Sequence, residues 1–181
     1  PGDQVELLRR VLKGETLVPV ESVFEVQQTT PHGHVEAVLG MARKLGLDRL
    51  ISTQRSRERD LVVAMVVQRI LHGSSKLADT RLWHTSTLAE ELGVQDADEN
   101  DLYAAMDWLL DRQTRIENKL AKKHLHDGVL VLFDVSSSYY TGRKSSLVRH
   151  GYRRDHRGDC PQIVYGLLCD SQGRPVAVEV F

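Results

Sequence analysis

The sequence predicts an α+β protein, helical through about residue 126 and then built as a small antiparallel sheet. Three observations predict this. Apolar residues recur at helical spacing up to Leu120, and capping residues and glycines bound the segments. After Asp127-Gly128 the apolar residues come instead in short runs bounded by turn residues. The last two runs, QIVYGLLC and VAVEVF, flank the turn sequence Asp170-Ser171-Gln172-Gly173-Arg174-Pro175, as in a hairpin.

Taken in order, residues 1–34 form a poorly defined N-terminal arm. Within it Val5–Leu12 reads as a short helix stopped near Gly14, and Val18–Val26 as a strand or extended segment. The second unit, 35–126, is a helical domain. Its first helix follows the Thr29-Thr30-Pro31 breaker and runs from His34 to Leu45, ending at Gly46. Ser56 to Gly73 reads as a helix with Ser56 as N-cap, Glu58 and Asp60 at the positive end and Gly73 as terminator. Leu61–Val67 is apolar nearly all round, which places that helix inside a helical cluster; a strand is the competing reading, because four of the seven residues are Val. Ser74 or Ser75 caps a helix through Trp83. Thr87 and Glu90 have the spacing of a capping box, and Gly93 ends that element. One long helix then starts at Asn100 or Asp101 and continues past Leu120. Trp83 and Trp108 fall on apolar helical faces and are expected in the core. The third unit, 127–181, holds three strands: Val129–Val135, expected to be buried and central, Gln162–Cys169 and Val176–Phe181.

With 41% hydrophobic and 27% charged residues, the chain has the composition of a folded protein. Its net charge of -1 gives no argument for nucleic acid, but the charge is unevenly spread. Gly40–Arg59 carries six basic residues (Arg43, Lys44, Arg49, Arg55, Arg57, Arg59) against two acids, and Thr141–Asp159 carries six (Arg143, Lys144, Arg149, Arg153, Arg154, Arg157) against two. Glu90–Asp101 carries six acids and no base. Gathered cations suit a phosphate-facing surface; for either stretch alone a solvated face is the simpler reading. The two cysteines, Cys160 and Cys169, form neither a CxxC nor a zinc pattern, so a reducing cytoplasm is the default expectation. No signal peptide and no membrane-spanning apolar run is read from the sequence.

Asp134 is the residue most suggestive of chemistry. It interrupts an apolar run, where a carboxylate is costly unless it binds or caps something. A divalent cation would satisfy it, and Mg²⁺ takes one or two carboxylates together with substrate phosphate oxygens. The alternative is a carboxylate bonded to the next turn with help from Ser136–Ser138. Arg153, Arg154 and Arg157 in GYRRDHRGD could hold phosphates bidentately, or could pair locally with Asp155 and Asp159. Tyr139, Tyr140 and Tyr165 could stack on bases but are expected as half-buried sheet residues. The HxH pairs His32/His34 and His124/His126 fall in a turn and at a helix end, which does not favour a shared metal. No phosphate-binding glycine loop is present.

Two segments carry a resemblance: LVLFDVSSSYYTG at Leu130–Gly142 and GYRRDHRGDCPQIVYGLLCDSQGRPVAVEVF at Gly151–Phe181. Together they resemble the opening of the catalytic domain of DDE-class transposases from bacterial insertion sequences. LYAAMDWLLDRQTRIENKL at Leu102–Leu120 resembles the helix that precedes it. The resemblance spans about fifty residues from Leu130 and is looser upstream to Val35. It implies the first three antiparallel strands of an RNase H-like domain, incomplete at Phe181, with Asp134 as the first of three catalytic, metal-binding acids. It also implies Mg²⁺ or Mn²⁺ in the complete enzyme, double-stranded DNA at transposon ends as partner, a homodimer on that DNA and a bacterial cytoplasmic setting. Arg143, Lys144, Arg153, Arg154 and Arg157 are the candidate DNA contacts. The implied second Asp and the Glu have no counterpart here, so the chain is expected to be an N-terminal portion, inactive alone. A truncated DNA-binding regulator of transposition and another RNase H-like nuclease are the rival readings.

Overall fold

The computed structural model describes residues 2–16, 18–19, 25–126, 128, 130–142, 145–150 and 161–181. Among them are eight α-helices and a three-stranded antiparallel sheet, so the chain is α+β. The helices are α1 (Gly2–Leu12), α2 (Gly33–Leu45), α3 (Leu47–Ile51), α4 (Arg57–Leu71), α5 (Lys76–Leu82), α6 (Leu88–Leu92), α7 (Glu99–Leu110) and α8 (Gln113–His124), with a 3-10 turn at Trp83–Thr85. The strands are β1 (Val131–Tyr139), β2 (Gln162–Asp170) and β3 (Pro175–Val180), in the order β1-β2-β3.

Local chemistry sets most of the helix ends. Gly46 and Gly93 take positive φ values of 75° and 69° after α2 and α6, a conformation open to glycine without a Cβ penalty. Ser56 and Ser75 accept the backbone N–H groups of Arg59 and Ala78, capping α4 and α5. Asp98 and Asp101 cap α7 reciprocally, each side chain bonding the other's backbone N–H. The Thr87 capping box does not form, because Thr87 Oγ1 is bonded instead to His32 Nδ1 at 2.7 Å, tying the start of α2 to α6.

The single long helix expected from residue 100 is two helices broken at Asp111-Arg112. Arg112 donates to the Trp108 carbonyl at 2.8 Å and lays its guanidinium 3.6 Å from the Trp108 ring centre, which fixes the corner. Trp108 is accordingly half-buried beside the core, whereas Trp83 is fully inside it. Val18–Val26 forms no strand among its described residues.

The apolar core lies in the helical part, from Val35 and Leu39 of α2 through Leu61–Met65 and Val67 of α4 to Leu102 and Ala105 of α7. The apolar circumference of Leu61–Val67 is met on several sides, since α4 packs on α2, α3, α6 and α7. The sheet adds Val176 as a buried apolar side chain and otherwise leans on α8. Lys119 of α8 donates to the carbonyls of Arg49 and Leu50, closing the C-terminal end of α3.

Candidate functional site

Asp134 sits in the middle of β1, opposite Leu167 of β2, which in turn faces Val178 of β3. Directly paired residues in an antiparallel sheet share a face, so these three side chains form one row. Ser136 and Ser138 continue that face along β1, with Tyr165 and Ile163 as their partners. Ser138 Oγ donates to the Tyr165 hydroxyl at 3.4 Å. The carboxylate therefore stands beside a strip of hydroxyls at one side and an apolar row at the other.

Two expectations about β1 are corrected. The strand is at the edge of the three-stranded sheet, with β2 central, and it is exposed except at the half-buried Ser136; Phe133 is 59% accessible. An apolar run of this length fits a buried strand equally well in sequence, and only the strand order distinguishes the two. Asp134 is itself exposed, so the cost of burying a carboxylate does not apply to it. Ser136–Ser138 also belong to the strand and not to a following turn.

The neighbouring acids of the sheet do not join Asp134. Asp170 and Glu179 pair with Val131 and Gly166, so both point to the opposite face. Asp170 has its own role, at 1% exposure. Its carboxylate accepts the backbone N–H groups of Gln172 and Arg174 and the Arg174 guanidinium, the last at 2.6 Å, and His124 Nδ1 lies 3.9 Å away. Burial pushes this carboxyl up, but the Arg174 and Gln172 donors outweigh burial and hold it below the usual carboxylate range. Asp170 is thus the organiser of the β2–β3 turn.

Among the described residues no group of three or more His, Cys, Asp or Glu could hold a metal ion. They offer a divalent cation one carboxylate, Asp134, flanked by serine hydroxyls and apolar neighbours. This donor set does not by itself fit the Mg²⁺ or Mn²⁺ that the resemblance implies.

The candidate DNA contacts Arg143, Lys144, Arg153, Arg154 and Arg157 lie outside the described residues, as do Asp155, Asp159 and Cys160. Among the described residues that follow, Arg149 exchanges two backbone hydrogen bonds with Gln162 of β2. The earlier basic stretch is largely neutralised within the fold. Arg57 bonds Asp96 and Asp101, Arg55 and Arg59 bond Asp60, and Arg43 lies 4.0 Å from Glu91. The acidic stretch 90–101 supplies three of these partners, so the two opposite blocks meet across the helical domain. This is the solvated-face reading of that stretch, with Lys44 and Arg49 left exposed.

Tyr165 and Tyr140 are half-buried and Tyr139 is exposed. His32 is engaged with Thr87, His34 stands edge-on to His72 at 6.4 Å between ring centres, and His124 packs near Asp170. Among the described residues neither HxH pair belongs to a group of three or more His, Cys, Asp or Glu side chains. Among the described residues no helix is long and apolar enough to cross a membrane.

Sequence reasoning missed an apolar groove of about 460 Å³ between the helical part and the sheet. Met106, Leu110, Ile116 and Leu120 line one wall, and Leu167 and Val178, the row partners of Asp134, line the other. At its border Gln113 Nε2 donates to the Val178 carbonyl at 2.8 Å, and Glu117 Oε1 accepts the Val178 N–H at 3.1 Å. The only sequence signal was the spacing of four between Gln113 and Glu117, which puts both on one face of α8.

No protein-family model, curated protein or solved structure matches this chain.

Proposed function

We propose that this chain is the N-terminal portion of a DNA transposase of the DDE class, its sheet being the entry to an RNase H-like domain. The observation that carries this reading is the order of parts: a helical unit, then an Asp at the centre of the first of three consecutive antiparallel strands. The resemblance implies that order. In this reading Asp134 is one carboxylate of a divalent-metal site, and the remaining donors come from residues other than those described. The chemistry that the resemblance implies for such a site is divalent-cation assistance to phosphodiester transfer, toward which the described residues would offer the Asp134 carboxylate alone. The chain's own contribution is to hold Asp134 on a strand, beside the Ser136 and Ser138 hydroxyls, on the face that also bears the groove. Arg143, Lys144, Arg153, Arg154 and Arg157 are proposed to contact DNA phosphates next to it.

A second reading, a DNA-binding regulator without cleavage activity, is favoured by one specific feature. The face shared with Asp134 presents Leu167 and Val178, and the acids Asp170 and Glu179 are turned away.

A strand-cleavage and binding assay separates the two. The full-length protein that contains this chain is incubated with duplex DNA carrying the ends of its element, with and without Mg²⁺ or Mn²⁺, as wild type and as Asp134→Asn. The transposase reading expects metal-dependent cleavage that Asp134→Asn abolishes while salt-sensitive binding persists. Binding with no cleavage by either form supports the regulator, and cleavage by Asp134→Asn at the wild-type rate overturns the role of Asp134.

A further inference from the structure

We infer that α8 and the end of α3 form a phosphodiester-binding face, on which Arg115, Lys122 and Lys123 of α8 and Arg49 of α3 meet the backbone of duplex DNA. The inference shares the DNA partner of the reading above and rests on it to that extent. It concerns a surface apart from Asp134 and from the cations named there.

The first observation is how α8 divides its charge. At about 100° of turn per residue, Arg115, Lys119, Lys122 and Lys123 fall within about 100° of arc, and no other residue of the helix does. Glu117, the one acid of α8, is turned away from this arc and bonds Val178. The helix dipole does not account for the arrangement. Lys122 and Lys123 in the last turn complement the negative end of the helix, but Arg115 is in the first turn, where a cation is disfavoured.

The second observation is that these cations are not used within the fold. Arg49, Arg115, Lys122 and Lys123 are exposed, and among the described residues none of their side chains makes an ion pair or hydrogen bond. Arg55, Arg57 and Arg59, by contrast, are each held by an acid. Lys119 is fixed on the carbonyls of Arg49 and Leu50, which sets the exposed Arg49 beside the arc. A local group of uncompensated cations in a chain of net charge -1 calls for an anionic partner.

The shape of the group selects the partner. Arg115 and Lys123 are eight residues apart, about 12 Å along the helix axis. One DNA strand presents a phosphate about every 3.4 Å of axis, so the row matches about three or four of them. An anionic membrane fits less well, because a surface-bound helix inserts an apolar face, whereas Ile116 and Leu120 of α8 are turned into the groove.

Fluorescence anisotropy with a labelled duplex of arbitrary sequence, in EDTA and over a series of salt concentrations, tests this on the full chain. The variants are Arg115→Gln and Lys122→Gln, with Arg81→Gln of α5 as the charge-matched control. All three positions are exposed, so each variant is expected to keep the wild-type circular dichroism. The expected result is salt-sensitive binding that Arg115→Gln and Lys122→Gln each weaken about fivefold to tenfold, with the salt slope reduced by about one, while Arg81→Gln leaves both unchanged. Absence of duplex binding at low salt overturns the proposal. Equal weakening by Arg81→Gln overturns it in favour of attraction by total charge, and binding untouched by both α8 variants places the DNA elsewhere. Tighter binding to phosphatidylserine vesicles than to duplex, lost in Arg115→Gln, overturns it in favour of a membrane. Without metal the assay does not read Asp134, so failure of this face and failure of the transposase reading are told apart by the cleavage assay.

Discussion

Glu117 of α8 accepts the backbone N–H of Val178 in β3 at 3.1 Å, while Gln113, one turn earlier, donates to the carbonyl of the same residue at 2.8 Å. Two side chains on a helix thereby do what a neighbouring strand would do for the outer edge of β3. An open edge is a template for unwanted pairing, and here it is closed at its middle residue while the sheet is joined to the helical part. The contact predicts that Glu117→Ala speeds hydrogen exchange of the Val178 amide by about fivefold, from a loss of roughly 1 kcal/mol. Glu117→Gln keeps an acceptor oxygen and should restore most of the protection. Amide exchange followed by NMR reads both, and an unchanged Val178 rate in Glu117→Ala would remove the clamp from the account.

Stability should be divided unevenly between the two parts. Leu39 is fully buried in the helical core and Phe133 is mostly exposed on β1. Leu39→Ala is expected to cost about 2–5 kcal/mol through lost burial and a residual cavity. Phe133→Ala is expected to cost under about 1 kcal/mol, as for a surface site. Urea titration of both variants checks this, and equal losses would contradict the exposed position of β1.

Acid should loosen the β2–β3 turn through Asp170. Its folded carboxyl titrates below the ordinary value, so it stabilises the fold above the usual carboxylate range. That contribution is lost as the pH falls through the lowered folded value. Asp170→Asn should therefore be less stable at neutral pH and flatter in its acid dependence. Melting temperatures measured from neutral pH downward test this, and parallel curves for the two proteins would refute it.

Ser56→Ala should destabilise the helical part by about 1 kcal/mol, because it removes the acceptor for the Arg59 N–H at the start of α4. Thr87→Val should remove the link to His32 but no helix cap, since none is formed there. Thermal melts of the two variants, with Thr87→Val adding a change at the His32 ring resonance, distinguish the two roles.

These cases mark what the sequence could and could not tell. Ser56, Gly46, Gly93 and the Asp170–Pro175 turn were legible because capping and left-handed turns are local chemistry, read from one or two residues. The second capping box, Asp98–Asp101, was hidden in an acidic stretch that reads as a loop, and Thr87 was misread because its partner, His32, is fifty-five residues away. The corner at Arg112 was invisible because the apolar period runs on through it. Burial of β1 could not be inferred, since a run such as VLFDV has the same composition on a central strand or an edge. The groove and the Gln113–Glu117 clamp arise only when α8 meets β3, a juxtaposition with no local signature.

The central claim is that Asp134 is a metal-binding carboxylate, and paramagnetic broadening by Mn²⁺ tests it most directly. In NMR spectra of the protein with duplex DNA, titrated Mn²⁺ is predicted to broaden resonances most strongly around Asp134 and its row partner Leu167, and Asp134→Asn is predicted to abolish that focus. Broadening that persists unchanged in Asp134→Asn, or centres on Glu179 across the sheet, would contradict the claim.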